Sequence, residues 1–156
     1  MKSKNFFIPL IFAVLSTSPS MAQNIGQLEK KLSVSEIKKE YYLSGKLKSE
    51  TPYTDDKANG IQREYYPSGR LASETSYTNG KKNGIEKIYD LYSDRVTVSI
   101  ETTYTDGKKN GIEREYRADG KLASETPYTD DKKNGTEKLY DTSGKLWLET
   151  PYTDDK

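Results

Sequence analysis

The sequence predicts an all-β protein: an elongated antiparallel meander of stacked hairpin repeats in one single-layer, twisted sheet. Three observations predict it. A tyrosine recurs at Tyr53, Tyr77, Tyr104, Tyr128 and Tyr152, at spacings of 24, 27, 24 and 24 residues. Asn-Gly pairs at Asn59-Gly60, Asn83-Gly84, Asn110-Gly111 and Asn134-Gly135 keep the same step. Between these marks lie short alternating segments bounded by Gly, Pro, Ser and Asp, the pattern of an antiparallel meander. A fixed period of this length marks a repeat architecture, in which each unit buries surface only against its neighbours. The copies run over 40–63, 64–87, 88–114 and 115–138, with a broken copy over 139–156.

Ahead of the repeats, Lys2 and Lys4 precede an apolar run from Phe6 to Leu15, too short to span a bilayer comfortably. Ser20-Met21-Ala22 then offers small residues where a signal peptidase reads. Residues 1–22 therefore read as a secretory signal peptide cleaved after Ala22; a retained membrane anchor is the alternative. Cleavage would leave the protein in the periplasm, outside the cell or at its surface. Residues 23–36 form a lead-in, where Leu28, Leu32 and Ile37 stand at helical spacing. Yet Ile37–Tyr41 aligns with Ile61–Tyr65, so the repeat domain, 37–156, is expected to open on Ile37 as its first strand.

Composition excludes several partners. The chain has 25 basic and 24 acidic residues, and removing Lys2 and Lys4 turns the net charge from +1 to −1. A nucleic-acid binder would show a basic excess. No Cys is present, so stability must come from repeat stacking rather than disulfides. The regular placement of thirteen Tyr argues against disorder.

Each repeat carries two turns. The first reads Leu43-Ser44-Gly45, Pro67-Ser68-Gly69, Ala118-Asp119-Gly120 and Thr142-Ser143-Gly144. Gly accepts positive φ, and Ser or Asp before it can bond its own backbone. A three-residue loop, with a type I turn and Gly in the left-handed bulge position, sets Tyr116 opposite Leu122 and Ile112 opposite Thr126. Tyr128 then shares the face of Tyr116. This register also sets Glu113 against Glu125, an unfavourable like-charge pair. The second connection, Tyr128 to Gly135, reads as a longer polar hairpin loop. The third copy differs: Tyr89 to Glu101 spans twelve positions where Tyr116 to Glu125 spans nine, and the turn Gly is missing. Val96, Val98, Ile100, Thr102 and Tyr104 alternate in phase with the apolar face, which suggests a lengthened strand and a larger turn around Ser93-Asp94.

Zero His removes Ser-His-Asp and Cys-His catalysis and imidazole metal ligation. Glu50, Glu74, Glu101, Glu125 and Glu149 recur once per repeat in similar surroundings, so nothing separates their pKa values for acid–base work. They read as a solvated outer-face ladder offset by Lys46, Arg70, Lys121 and Lys145. Asp55-Asp56, Asp130-Asp131 and Asp154-Asp155 offer too few oxygens for calcium and read as turn formers. No enzyme activity, cofactor or metal is expected. The candidate site is an aromatic and basic face. Tyr41, Tyr65, Tyr89, Tyr116 and Tyr140 recur on first strands and Tyr53, Tyr77, Tyr104, Tyr128 and Tyr152 on second strands. Arg63, Lys87, Arg114 and Lys138 join them, with aliphatic stems over rings and charges outward. Such a face serves as thin core or as recognition surface. Trp147 replaces Ala72 and Ala123 on the expected outer face, either as a cap over the sheet end, the favoured reading, or as a contact.

The stretch GIEREYRADGKLASETPYTDDKKNG, residues 111–135, resembles the bacterial variant of the MORN repeat. Its layout is similar to that of the YwqK family, described as antitoxin-like. The resemblance covers about residues 37–156. It departs in the lost Gly of the third copy, in Asp for Gly in three second turns, and in the broken fifth copy. It implies an elongated sheet that mediates protein association and sometimes lipid association, and the antitoxin label implies a toxin as partner. The chain thus reads as an exported, non-enzymatic scaffold for a protein partner. A toxin-neutralising partner and a surface adhesin or lipid-surface binder are the alternatives, with a membrane surface not favoured. Tyr116 to Ala is expected to destabilise and Glu125 to Ala, on the opposite face, to be nearly silent.

Overall fold

Turn chemistry sets the local folding of every copy. The computed structural model describes residues 35–90 and 97–156. The signal peptide with Ala22, the lead-in up to residue 34, Val96 and the larger turn at Ser93-Asp94 lie outside the described residues. At the first turn the Arg117 N–H donates to the Lys121 carbonyl, and the Gly120 N–H donates to the Arg117 carbonyl, both at 2.8 Å. Gly120 sits at φ 82°. This is the expected three-residue loop, and it recurs at Gly45, Gly69 and Gly144.

The strands are β1 (Ser35–Tyr41), β2 (Leu47–Thr54), β3 (Lys57–Ala58), β4 (Gly60–Tyr65), β5 (Leu71–Thr78) and β6 (Lys81–Tyr89). After the third-copy turn come β7 (Val98–Thr105), β8 (Lys108–Tyr116), β9 (Leu122–Thr129), β10 (Lys132–Lys133), β11 (Gly135–Tyr140) and β12 (Leu146–Tyr152). They form one antiparallel sheet in the order β1-β2-β4-β5-β6-β7-β8-β9-β11-β12, with β3 on β2 and β10 on β9. β1 begins at Ser35, two residues ahead of Ile37.

The second connection is tighter than its sequence suggests. Thr129 pairs with Lys132, so only Asp130 and Asp131 form the loop, at φ 50° and 70°. Two left-handed central residues make the mirror-image type I turn, whose twist matches the flanking strands. Asp and Asn tolerate this region better than other L-residues. The expected long loop is therefore a two-residue hairpin, and the Asn-Gly pair that follows is a bulge. Gly135, at φ 119°, is forced: a Cβ there would meet the Pro127 Cγ at 2.8 Å.

A second bulge overturns the expected faces. Tyr116 does pair with Leu122, but the register shifts at the next residue, and Glu115 pairs with Ser124. Ile112 consequently faces Pro127, not Thr126, and Glu113 faces Thr126. Arg114, not Glu113, meets Glu125, so the like-charge conflict becomes an ion pair. The same shift recurs at Tyr41, Tyr65, Tyr89 and Tyr140. Because one residue of slip exchanges faces, Tyr116 and Tyr128 lie on opposite sides of the sheet. Val98 pairs with Tyr89 and Ile100 with Ile88, so the third copy shows the same exchange.

Among the described residues no hydrophobic side chain is buried. The buried ones are Ser49, Thr51, Thr75, Thr102, Ser124 and Thr126. This sheet's centre is made of hydroxyls, and each must find a partner.

Candidate functional site: the two faces of the sheet

The first face carries an acid–tyrosine–base ladder. Pairing of Arg114 with Glu125 directs both side chains, and Tyr116 two residues on, to one side. The Arg114 Nε donates to the Glu125 Oε1 at 2.9 Å, and the Tyr140 hydroxyl of the next copy donates to its Oε2 at 3.0 Å. The pattern repeats at Glu74, which takes the Arg63 Nε and the Tyr89 hydroxyl. Tyr65 reaches Glu50 and Tyr116 reaches Glu101 in the same way. Lys87 pairs with Glu101 at 3.4 Å, and Lys138 lies in register with Glu125 and Glu149. These glutamates are therefore not a solvated outer row: the side chains of Glu50, Glu74, Glu101 and Glu125 are only 21–26% exposed. Nor do Lys46 and Lys121 offset them. Those lysines donate to the Ser68 and Thr142 carbonyls in the following turn.

The second-strand tyrosines stand on the other face, in a different constellation. Glu113 accepts from the Thr102 hydroxyl at 2.9 Å, from Lys109, and from the Tyr128 hydroxyl at 3.4 Å. Glu137 repeats this with Thr126, Lys133 and Tyr152. Lys82, Lys109 and Lys133 also lie over the rings of Tyr104, Tyr128 and Tyr152 at 4.8 Å, and Lys38 lies over Tyr53 at 4.1 Å. Tyr77 stands across from Lys82. The cations on these rings are thus not Arg63, Lys87, Arg114 and Lys138: the first three pair with carboxylates on the first face, and Lys138 lies in register with two there.

The electrostatics follow from these contacts. The Tyr89 hydroxyl bond to Glu74, aided by Arg63, holds the Glu74 carboxyl below its ordinary value. Burial alone would raise Glu86, but the Lys82 bond and charge, with Tyr104 and Thr75, bring it below its ordinary value. Burial and the Glu74 carboxylate push Tyr89 up to about 12. Burial and Glu86 raise Tyr104 further. No group of three or more His, Cys, Asp or Glu among the described residues is placed to hold a metal.

On the first face a row of aliphatic side chains stays accessible. Ile37, Ile61, Ile85 and Ile112 face Pro52, Ser76, Thr103 and Pro127 across the sheet. They form a row beside the ladder and are 61%, 45%, 48% and 38% exposed. Trp147 is 71% exposed, which does not fit the expected cap over the sheet end. The sequence carried the signal for the Ile row, one Ile three residues before Glu-Tyr in most copies, but the assumed register assigned it to a half-covered core.

The profile of the MORN repeat variant matches residues 37–55, 58–79, 109–130 and 133–154. The chain belongs to the MORN repeat variant family. No curated protein matches it. The two central MORN segments, 58–79 and 109–130, run from one two-residue turn to the next, and residues 80–108, which hold the lengthened Tyr89-to-Glu101 segment, lie between them. MORN repeats are non-catalytic modules that mediate protein or membrane interaction.

Proposed function

We propose that this MORN-variant chain is an exported scaffold that binds a protein partner through its first face. The observation that carries the reading is the Ile row. In a sheet whose recurrent Glu, Tyr and Thr side chains are tied into hydrogen-bonded joints, an aliphatic side chain recurs exposed at Ile37, Ile61, Ile85 and Ile112. Successive Ile residues stand two strands apart, about 9.5 Å by strand spacing. Contiguous exposed apolar surface rimmed by polar groups marks interaction sites. The rim favours a protein over an anionic membrane surface. Its bases Lys39, Arg63, Lys87 and Arg114 already pair with Glu50, Glu74, Glu101 and Glu125, so the face carries little free positive charge. Trp147, exposed on the last strand, adds an aromatic contact of the kind enriched at interfaces. Export rests on Lys2, Lys4, the Phe6–Leu15 run and the small residues ending at Ala22.

The test is affinity capture from the envelope fraction of the native host, with the bait's N-terminus read by mass spectrometry. The reading expects a bait that begins at Gln23 and a defined protein in the eluate. It expects that protein to be lost when Ile61 and Ile85 are both changed to Lys, with the thermal melt kept. Capture that survives both changes removes the Ile row from the site. An intact Met1 on a cytoplasmic bait removes the export claim.

A further inference from the structure

The ends of the sheet carry the two halves of the joint that links one repeat to the next. At each internal joint a second-strand Glu lies in register with a base of the following hairpin and accepts the hydroxyl of that hairpin's first-strand Tyr. Glu125 with Lys138 and Tyr140 is one example. Glu50 with Arg63 and Tyr65 is another. At the two ends this set is divided. β12 pairs only with β11 among the described strands, and it carries Glu149 where the internal strands carry Glu125. Among the described strands β1 pairs only with β2, and it carries Lys39 and Tyr41 where the internal strands carry Lys138 and Tyr140. Tyr41 is 59% exposed, whereas its internal counterparts are bonded to a neighbouring Glu.

We propose that β12 of one copy pairs with β1 of a second copy, head to tail, in the register of an internal joint: Glu149 against Lys39, with the Tyr41 hydroxyl on Glu149. The proposal concerns the sheet's edges and does not rest on the Ile row. The next pair in that register is Leu148 with Glu40. An aliphatic residue already faces a Glu at the internal Ile100–Glu115 pair. Lys39 would then lie in register with two carboxylates, Glu50 and Glu149, as Lys138 lies in register with Glu125 and Glu149 within the sheet. On the opposite face Lys38 stands where the internal joints carry the Glu that accepts from a Thr hydroxyl, and because an ammonium cannot accept, the Thr150 hydroxyl would not be bonded there. Lys145 would reach the first turn of the second copy, as Lys121 reaches Thr142. The contact surfaces differ, so the association is heterologous and extends into chains rather than closing as a two-fold dimer. An unpaired edge strand is the usual template for such growth.

Sedimentation velocity on the chain as its host produces it, over a wide concentration range at low salt, tests this. The average mass should rise continuously with concentration, and Tyr41→Phe should weaken that rise. Glu149→Lys and Lys39→Glu should each abolish it, because each sets like charges against one another at the junction. Mixing those two variants should restore it, because one kind of junction then joins the two exchanged charges and the other joins the native Glu149 and Lys39. A wild-type chain that stays monomeric overturns the proposal, as does undiminished association of Glu149→Lys. If Lys39→Glu fails to fold beside Glu50, Tyr41→Phe and Glu149→Lys decide the question. Because Glu149→Lys stands opposite Lys138 in its own hairpin, Glu149→Gln, which sets no like charges there, is the control and should also weaken the association.

Discussion

At the scale of single residues, carboxylates do the work that aliphatic side chains do in thicker domains. Glu86, Glu113 and Glu137 each gather a Thr, a Lys and a Tyr, and their side chains are 15–16% exposed. A buried hydroxyl that lost such an acceptor would bear its desolvation penalty alone. The pH dependence follows. Glu74, Glu86 and Glu137 sit below the ordinary carboxyl value of 4.5 in the folded chain. On acidification the unfolded chain therefore takes up protons first, and stability is full above pH 4.5 and falls as pH drops through the lower folded values. Tyr89 moves the other way, from 10.0 to about 12. Here the unfolded chain loses its proton first, so stability is full below pH 10.0 and falls as pH rises toward 12. Thermal melts should show a plateau bounded by these two declines. A melting temperature that held steady through both limits would mean that these groups face open solvent.

At the scale of the element, what was legible were the signals carried by residue type. The repeat period, the two-turn hairpin and the Gly-centred first loop could all be read, because Gly120 and its equivalents mark positive φ. The bulge beside the turn could not. Leu122 and Ala123 carry no conformational signature, yet the extra residue there reverses which side chains share a face. The expected Glu113–Glu125 repulsion was the available symptom, and moving one residue converts it into Arg114–Glu125. The Asn-Gly bulge was hidden for a related reason, since that dipeptide is also the strongest hairpin signal. Its Gly makes a discriminating test. Gly144 and Gly135 both have positive φ, at 90° and 119°, but a Cβ on Gly144 meets nothing within 4 Å while one on Gly135 strikes Pro127. Urea melts should show Gly135→Ala costing about 1 kcal/mol more than Gly144→Ala, the usual range for overpacking. Equal costs would mean that only φ matters there and that Pro127 yields freely.

At the scale of the molecule, the joints hold the MORN-variant sheet and the Ile row is left over. The period of the candidate tyrosines is visible in the sequence, but their split between two faces depends on the bulge, which is why the exposed surface falls on other residues than the spacing suggests. Stability should reside in nearest-neighbour joints. Glu125 links Arg114 of its own hairpin to Tyr140 of the next copy, although its partners are partly exposed. Ile85 is 48% exposed, and the copy over 115–138 carries Thr136 at the same position. The most direct measurement is a pair of urea melts, on Glu125→Ala and Ile85→Thr. Glu125→Ala should lower unfolding free energy by about 1–2 kcal/mol, as for lost hydrogen bonds to a charged group with some solvent screening. Ile85→Thr should stay within about 0.5 kcal/mol of the parent, as for an exposed site. A silent Glu125→Ala beside a costly Ile85→Thr would contradict both the register and the assignment of the Ile row to a partner.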